Sequence, residues 1–214
     1  MKKVLTIAAL AAAMLFAGNA KAQLSINAGF ANQSKTFTGP QTRIGTYTDR
    51  DTSMAGFFIG ASYNLPLTAN LGVAPGLYYQ RLGHGTETTF GSLTTHTSSV
   101  EQAVTIPVMI NYKYDFSNDF AMFAFVGPTF TYGLTKTFNA WFNEDDHSDP
   151  LFDYYEGDNP LRSHFNMFVT FGLGVQYQSF RLQVGYQLGM MDRTTSDNTT
   201  EKVNNLFVGV GYAL

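Results

Sequence analysis

The apolar and polar positions alternate with a period of two over the longest regular stretch of the chain, Phe165 to Met190. Successive side chains of a strand point to opposite faces, so this alternation predicts two strands, each with one apolar face, joined by a turn at Gln178-Ser179. Each strand is about 12 residues long, which exceeds most soluble strands and matches the ~9 to 11 residues that a tilted strand needs to cross a bilayer. The pattern predicts a membrane-spanning hairpin.

The same alternation recurs in six further segments and predicts eight strands in all. These six segments begin near Leu24, Phe57, Leu71, Glu101, Phe120 and Asn204. The connections after strands one, three, five and seven are long, at Thr38–Ser53, His84–Ser98, Asn139–Ser163 and Asp192–Lys202, whereas those after two, four and six are short. An even strand count with alternating loop lengths is typical of an outer-membrane barrel. We therefore expect an all-β fold, an eight-stranded antiparallel up-and-down transmembrane β-barrel.

Period-two alternation alone does not separate this barrel from a soluble sandwich or lipocalin-like barrel, in which the apolar face would point inward. Large residues fill the apolar faces and glycines occupy the opposite ones, which suits the narrow interior of an eight-stranded membrane barrel. Several tyrosines stand beside the short turns, where an aromatic girdle would lie. They are Tyr63, Tyr112, Tyr114, Tyr177 and Tyr212. Pro75 and Gly127-Pro128 predict two bulges, because proline cannot donate to a strand ladder.

The N-terminus has the composition of a secretory signal peptide. Lys2 and Lys3 precede an apolar run from Val4 to Ala17, and a small-residue cleavage pattern ends at Ala22. The apolar run is shorter than the ~20 residues that a single transmembrane anchor, the competing interpretation, would need. We expect a signal peptide at 1–22 and one outer-membrane β-barrel domain at 23–214.

Charge and composition narrow the possible functions. Without the three lysines of the predicted signal peptide, 10 basic residues face 16 acidic ones, a formal net charge of −6. Nucleic-acid binding would need a basic face, so we expect no nucleic-acid partner. Charged residues make up 14% of the chain and aromatic residues 15%, which is the opposite of a disordered composition. The chain has no cysteine, which suits an exported protein that does without disulfides.

The face opposite the apolar one should line the lumen, and three of its residues are charged: Glu101, Lys113 and Arg181. Charges in a narrow interior are costly unless they are paired, so we expect these three to form a lumen charge network. The same face carries large side chains that would fill the interior. They are Phe58, Tyr78, Met109, Phe123, Phe125, Phe168 and Phe207. A packed lumen is therefore expected, with a small pore as the alternative.

The long segment Asn139–Ser163 mixes acidic and aromatic residues, a combination that suits a contact surface for a protein or glycan. The candidate surface-interaction residues are Trp141, Glu144, Asp145, Asp146, Asp149, Tyr154 and Tyr155. Clustered carboxylates also suit Ca²⁺, but their spacing lacks the EF-hand pattern. We expect no metal and no cofactor, a monomer, and contacts with outer-membrane lipid and lipopolysaccharide.

Four histidines, His84, His96, His147 and His164, fall in or beside predicted outer loops, with serines nearby. Catalysis requires a base and a nucleophile within hydrogen-bond reach, which closeness in sequence does not provide. These residue types are ordinary in loops, so we expect no enzyme activity. A lipid-modifying outer-membrane enzyme remains the alternative.

Four motifs resemble a known family, the small outer-membrane β-barrel domain family of Bacteroidota known as the PorT-like group. They are IPVMINYKYDF at Ile106–Phe116, FVGPTFTYGL at Phe125–Leu134, FGLGVQYQSFRLQVGYQLGMMD at Phe171–Asp192 and FVGVGYAL at Phe207–Leu214. The resemblance implies a barrel similar in plan to OmpA and OmpX. Most members have no assigned activity, and one branch is implicated in protein secretion. We therefore expect a structural or surface-interaction role through extracellular loops, with an accessory role in secretion as the alternative.

Overall fold

The computed structural model describes residues 23–42, 45–49, 53–90, 93–142, 151–157, 162–195 and 199–214. The predicted signal peptide at 1–22 lies outside them. The described residues form ten strands. These are β1 (Gln23–Thr42), β2 (Gly45–Asp49), β3 (Met54–Pro66), β4 (Leu71–Phe90), β5 (Leu93–Asp115), β6 (Phe120–Phe142), β7 (Phe152–Asp153), β8 (Phe165–Tyr177), β9 (Phe180–Gly189) and β10 (Thr200–Ala213).

Eight of these strands close into a ring. Strands β1, β3, β4, β5, β6, β8, β9 and β10 pair antiparallel in chain order, and β10 returns to β1 from Ser25↔Ala213 to Thr38↔Thr200. The short strands β2 and β7 pair with β1 and β6 at the end of the barrel that carries the long connections. The predicted eight-stranded up-and-down barrel is confirmed. Among the described residues, no helix has the length and apolar character that a membrane crossing would need.

The two faces of the wall have opposite character, as the alternation predicts. The outer surface is a belt of exposed apolar side chains. Its members include Phe30, Ile59, Ile110, Val126, Phe171, Leu173, Leu182, Val184, Val208 and Val210. The inward side chains Phe58, Met109, Phe123, Phe125 and Phe168 are buried and fill the middle of the lumen, with Phe207 packed against them. An apolar outer surface is the arrangement that a lipid environment requires.

The prolines do not produce the bulges that the sequence predicts. The register of β3 with β4 is the same on both sides of Pro75, and that of β6 with β8 runs unchanged through Gly127 and Pro128. Proline removes a donor without adding a residue, so the ladder is only interrupted. Within the described ring of eight strands, the register shifts instead between Gln102 and Ala103, where β6 contains one extra residue, Leu134.

Two segments predicted as loops are largely strands. His84–Ser98 continues β4 and β5 into a hairpin that pairs from His84↔Ser99 to Phe90↔Leu93, and Thr38–Ser53 contains the end of β1 and β2. Threonine favours strands, and a hairpin with solvent on both faces has no reason to alternate apolar and polar residues. We call the extension formed by His84–Phe90, Leu93–Val100 and Thr137–Phe142 the outer sheet.

Candidate functional site

Five side chains meet inside the barrel at the level where the outer sheet begins. We call Glu101, Lys136, Tyr155, Arg162 and Arg193 the mouth cluster. Glu101 lies on β5 and Lys136 on β6, while the others come from the connections after β7, before β8 and after β9. All five are buried, from 1% exposed for Arg162 and Arg193 to 5% for Tyr155. The cluster therefore joins two strands of the wall to two irregular segments.

The carboxylate of Glu101 is the centre of this cluster. Its Oε1 lies 2.8 Å from Arg193 Nη1 and accepts a 2.9 Å hydrogen bond from the Tyr155 hydroxyl. Its Oε2 lies 3.1 Å from Arg162 Nη1 and 3.7 Å from Lys136 Nζ. One carboxylate thus contacts three cations and a phenol.

Three further contacts involve the two arginines. Arg193 Nη2 donates to the Tyr155 hydroxyl and, at 3.2 Å, to the Ser163 carbonyl. Arg162 Nη2 lies 2.7 Å from Oε1 of Glu201, a residue of β10. Two carboxylates therefore face three buried cations, and removing either carboxylate would leave a further charge uncompensated, which is the costly case for a buried ion pair.

Burial and the nearby charges set the protonation of Tyr155 and Arg193. Burial, and then the Glu101 carboxylate, raise the pKa of the Tyr155 phenol well above its ordinary value, so the phenol keeps its proton and donates it to Glu101. Burial opposes the charge of Arg193, yet Glu101 and Tyr155 raise the pKa of the guanidinium. Both groups therefore stay in the protonation state that the cluster needs.

Aromatic stacking holds the segment around Tyr155 against the wall. The ring of His164 stacks on Tyr155 at 4.5 Å and on Tyr132 at 5.0 Å between centroids. His164 Nδ1 donates to the Gly133 carbonyl at 2.7 Å. A Cβ at Gly133 would lie 2.3 Å from the Tyr155 hydroxyl oxygen, so only glycine allows this close approach. Asp153 also accepts hydrogen bonds from the backbone N–H groups of Lys136 and Tyr155. Residues 151–157 are thus fixed across the mouth of the barrel.

The structure separates the three residues of the predicted lumen charge network. Glu101 lies in the mouth cluster, whereas Lys113 pairs with Asp115 at 2.9 Å beside a short turn and is 41% exposed. Arg181 also lies near a short turn, with its guanidinium 4.3 Å from the centre of the Phe123 ring. The prediction that these three residues form one network is therefore wrong. Alternation shows which face of the wall a residue occupies but not its position along the barrel axis. Glu101 and Lys113 are twelve residues apart on β5, which corresponds to about 40 Å along the strand.

The predicted surface-interaction residues fall into three groups. Trp141 lies on β6 in the outer sheet, half-buried, with its ring stacked on His96 at 5.5 Å. Tyr154 is half-buried beneath Lys136 Nζ, which lies 4.9 Å from its ring centre. Tyr155 is buried in the mouth cluster, which corrects its prediction as a surface residue. Glu144, Asp145, Asp146 and Asp149 lie outside the described residues.

The sequence predicted an inward position for only one member of the mouth cluster, Glu101. Arg162 and Arg193 lie in irregular segments, where no alternation of apolar and polar residues predicts which way a side chain points. Lys136 points inward only because the extra residue Leu134 reverses the alternation of β6. No signal in the sequence alone would have brought these residues together.

The described histidines lie in three separate surroundings. His84 contacts the Ser53 carbonyl and the Thr86 hydroxyl at the surface, His96 stacks on Trp141 near Glu87, and His164 lies beside Tyr155. His147 lies outside the described residues. Within the described ranges, no group of three or more His, Cys, Asp or Glu side chains could hold a metal ion.

Comparison with known proteins gives the class of this protein. Residues 16–194 match the outer membrane protein beta-barrel domain, so the chain belongs to this family. The protein is therefore a β-barrel of the bacterial outer membrane. A sequence comparison with curated proteins gives no significant match.

Several solved barrels have a similar fold. Ail of Yersinia pestis, in a structure with the heparin analogue sucrose octasulfate, is 16% identical, with a TM-score of 0.41 over 90% of this chain and 99% of Ail. The N-terminal barrel of OprF from Pseudomonas aeruginosa is 11% identical, with a TM-score of 0.36 over 91% and 100%. The protease OmpT of Escherichia coli is 9% identical, with a TM-score of 0.39 over 90% and 97%. These likenesses concern the fold alone.

Proposed function

We propose that this protein is a non-enzymatic surface-interaction barrel that binds an extended protein segment along the edge of its outer sheet. The observation that carries the proposal is the open side of β4. The pairing of β3 with β4 ends at Ala55↔Gly83, so among the described residues His84–Phe90 has a neighbouring strand only on the β5 side. An exposed strand edge offers unpaired N–H and C=O groups, to which a partner can add a further strand.

The surroundings of this edge support a binding role. The outer sheet carries the stacked pair of His96 and Trp141, and aromatic side chains supply much of the energy at protein interfaces. Among the described residues, aromatic side chains narrow the middle of the lumen and the mouth cluster crosses its outer end. A small pore therefore has less support than surface binding. The separate surroundings of the described histidines support the non-enzymatic part of the proposal.

Two matched charge variants test the edge. Thr86 and Thr88 lie on the open strand, and their direct partners on β5 are Thr97 and Thr95. Lysines on an edge strand block strand addition, so Thr86→Lys with Thr88→Lys should abolish capture of the surface partner by full-length protein in nanodiscs. Thr95→Lys with Thr97→Lys adds the same charges at the same height on a strand paired on both sides, and capture should persist.

Each result of this capture experiment has a defined meaning. Equal loss of capture in both variants would assign binding to the face of the outer sheet and contradict binding at its edge. Unchanged capture in both would remove the outer sheet as the binding surface, and the proposal would fail. Folding of each variant is checked by its heat-modifiable migration on a gel.

Within the family, we propose that the chain belongs to the PorT-like group of Bacteroidota, on the resemblance of its four strand motifs. An accessory role in protein secretion is the alternative function for that branch. This alternative predicts a partner that binds at the short-turn end of the barrel. Capture of such a partner would be unaffected by either pair of lysine substitutions.

A further inference from the structure

A cavity of about 100 Å³ remains in the middle of the lumen, among the inward aromatic side chains. Its lining includes Phe123, Phe125, Tyr78, Asn111, Gln183 and Arg181. Among the described residues that line it, Arg181 is the only charged one. The cavity therefore combines aromatic side chains and neutral hydroxyl and amide groups with a single positive charge.

The guanidinium of Arg181 has no partner of opposite charge. Within the described part of the chain it makes no hydrogen bond and no ion pair, and its Nε is buried without an acceptor. Its contact is with the Phe123 ring, 4.3 Å from the ring centre to the guanidinium carbon. A ring face attracts a cation, but it accepts no conventional hydrogen bond from the N–H groups at the edge of the guanidinium. These N–H donors therefore remain available to a ligand in the cavity.

A second donor lies beside this guanidinium. Gln183 follows Arg181 by two residues on β9, so both side chains point to the same face of the strand and both line the cavity. The side chain of Gln183 also makes no hydrogen bond to a described residue. An anion in the cavity would therefore meet one charged and one neutral donor.

We propose that this cavity binds a small carboxylate, of the size of formate or acetate, on Arg181 and Gln183. The planar guanidinium presents two parallel N–H groups, which match the two oxygens of a carboxylate and would compensate the charge. A volume of about 100 Å³ holds only about seven water-sized positions, which limits the ligand to a few non-hydrogen atoms. Arg181 comes two residues after the turn at Gln178-Ser179, so the ligand enters from the short-turn end, which is periplasmic in outer-membrane barrels. The site does not depend on the proposed function of the outer sheet.

Titration of the full-length protein in nanodiscs with ¹³C-labelled formate and acetate tests the site, in a buffer without other small anions. We expect saturable broadening of the ¹³C line. Arg181→Gln should weaken binding about tenfold or more, because it removes a charge-assisted hydrogen bond and leaves a neutral donor. Lys113→Gln is the matched control, since Lys113 carries the same charge at the same end but pairs with Asp115 outside the cavity. The affinity of the Lys113→Gln variant for formate and acetate should equal that of the wild type.

Three outcomes would overturn the proposal. Equal binding by wild type and Arg181→Gln would place the anion elsewhere. Absence of saturable broadening with both carboxylates, or binding of chloride alone, would mean that water or a halide solvates the guanidinium. Heat-modifiable migration confirms that both variants are folded before titration.

Discussion

Glu101 is the residue on which the outer end of the barrel depends. It holds Arg162, Arg193 and Lys136 with one carboxylate, and it accepts the hydrogen bond of Tyr155. These partners come from β6, from the connection between β7 and β8, and from the connection after β9. A single buried side chain therefore couples the wall of the barrel to the connections that cross its mouth.

Replacement of Glu101 by Gln should destabilise the barrel by about 3 kcal/mol, because it leaves buried cations without their counter-charge. The free energy of unfolding in detergent, followed by circular dichroism, measures this loss. Glu87→Gln is the control, since the Glu87 side chain is 63% exposed and its carboxylate lies 3.7 Å from His96 Nδ1. An exposed pair of this kind contributes less than about 1 kcal/mol. A smaller loss for Glu101→Gln than for Glu87→Gln would contradict the central role of the carboxylate.

The sequence predicts part of this site and not the rest. The position of Glu101 on the inward face follows from the alternation of β5. Its partners do not, because Arg162 and Arg193 approach from connections whose path depends on the folded barrel. The burial of Tyr155 likewise results from tertiary contacts with Glu101 and His164. Local patterns record which face a residue occupies, but they contain no information on which distant segment will meet it.

Among the structural elements, the bulge in β6 has the largest effect on the site. Residues Phe123 and Phe125 point inward and Tyr132 and Leu134 outward, and the extra residue then turns Lys136 inward. A bulge re-aims the side chains that follow it, which is how an outward position became a partner of Glu101. The bulges predicted at the prolines were wrong, because a missing donor interrupts the hydrogen bonding of a ladder without shifting its register.

Glycines on the inward face of β8 should tolerate no side chain. A Cβ at Gly172 would lie 2.3 Å from the Phe125 ring and 2.4 Å from the Val184 carbonyl oxygen. Gly172→Ala should therefore reduce the free energy of unfolding by about 1 to 3 kcal/mol through overpacking. Gly83→Ala is the matched control, since the nearest atom to its Cβ would be 3.8 Å away, and it should change stability by less than about 0.5 kcal/mol. Equal effects of the two variants would show that the inward face is not packed as described.

The membrane-spanning parts of the strands were predictable because lipid on one side and a narrow interior on the other impose a strict period of two. The outer sheet was not predictable in this way, because water on both sides removes the requirement for a period of two while the backbone pairing continues. His84–Ser98 therefore looks like a loop by composition and is a hairpin by hydrogen bonding.

For the whole molecule, the family and the lengths of the connections predict one orientation in the membrane. The chain contains no cysteine, so single cysteines can report the side of each end. Thr88→Cys in the outer sheet should react with a membrane-impermeant maleimide on intact cells. Asn118→Cys in a short turn should react only after the outer membrane is permeabilised. The opposite labelling pattern would reverse the orientation and place the outer sheet in the periplasm.

The length of β5 sets how far the molecule reaches from the lipid surface. Its 23 residues span about 75 Å along the strand, and a tilt of ~40° reduces this to roughly 57 Å along the membrane normal. The apolar band of an outer-membrane barrel is only ~25 Å tall. About half of the strand therefore stands clear of the hydrocarbon, mostly on the side of the outer sheet. The outer sheet therefore extends beyond the lipid headgroups, so its strands can be reached without contact with the bilayer.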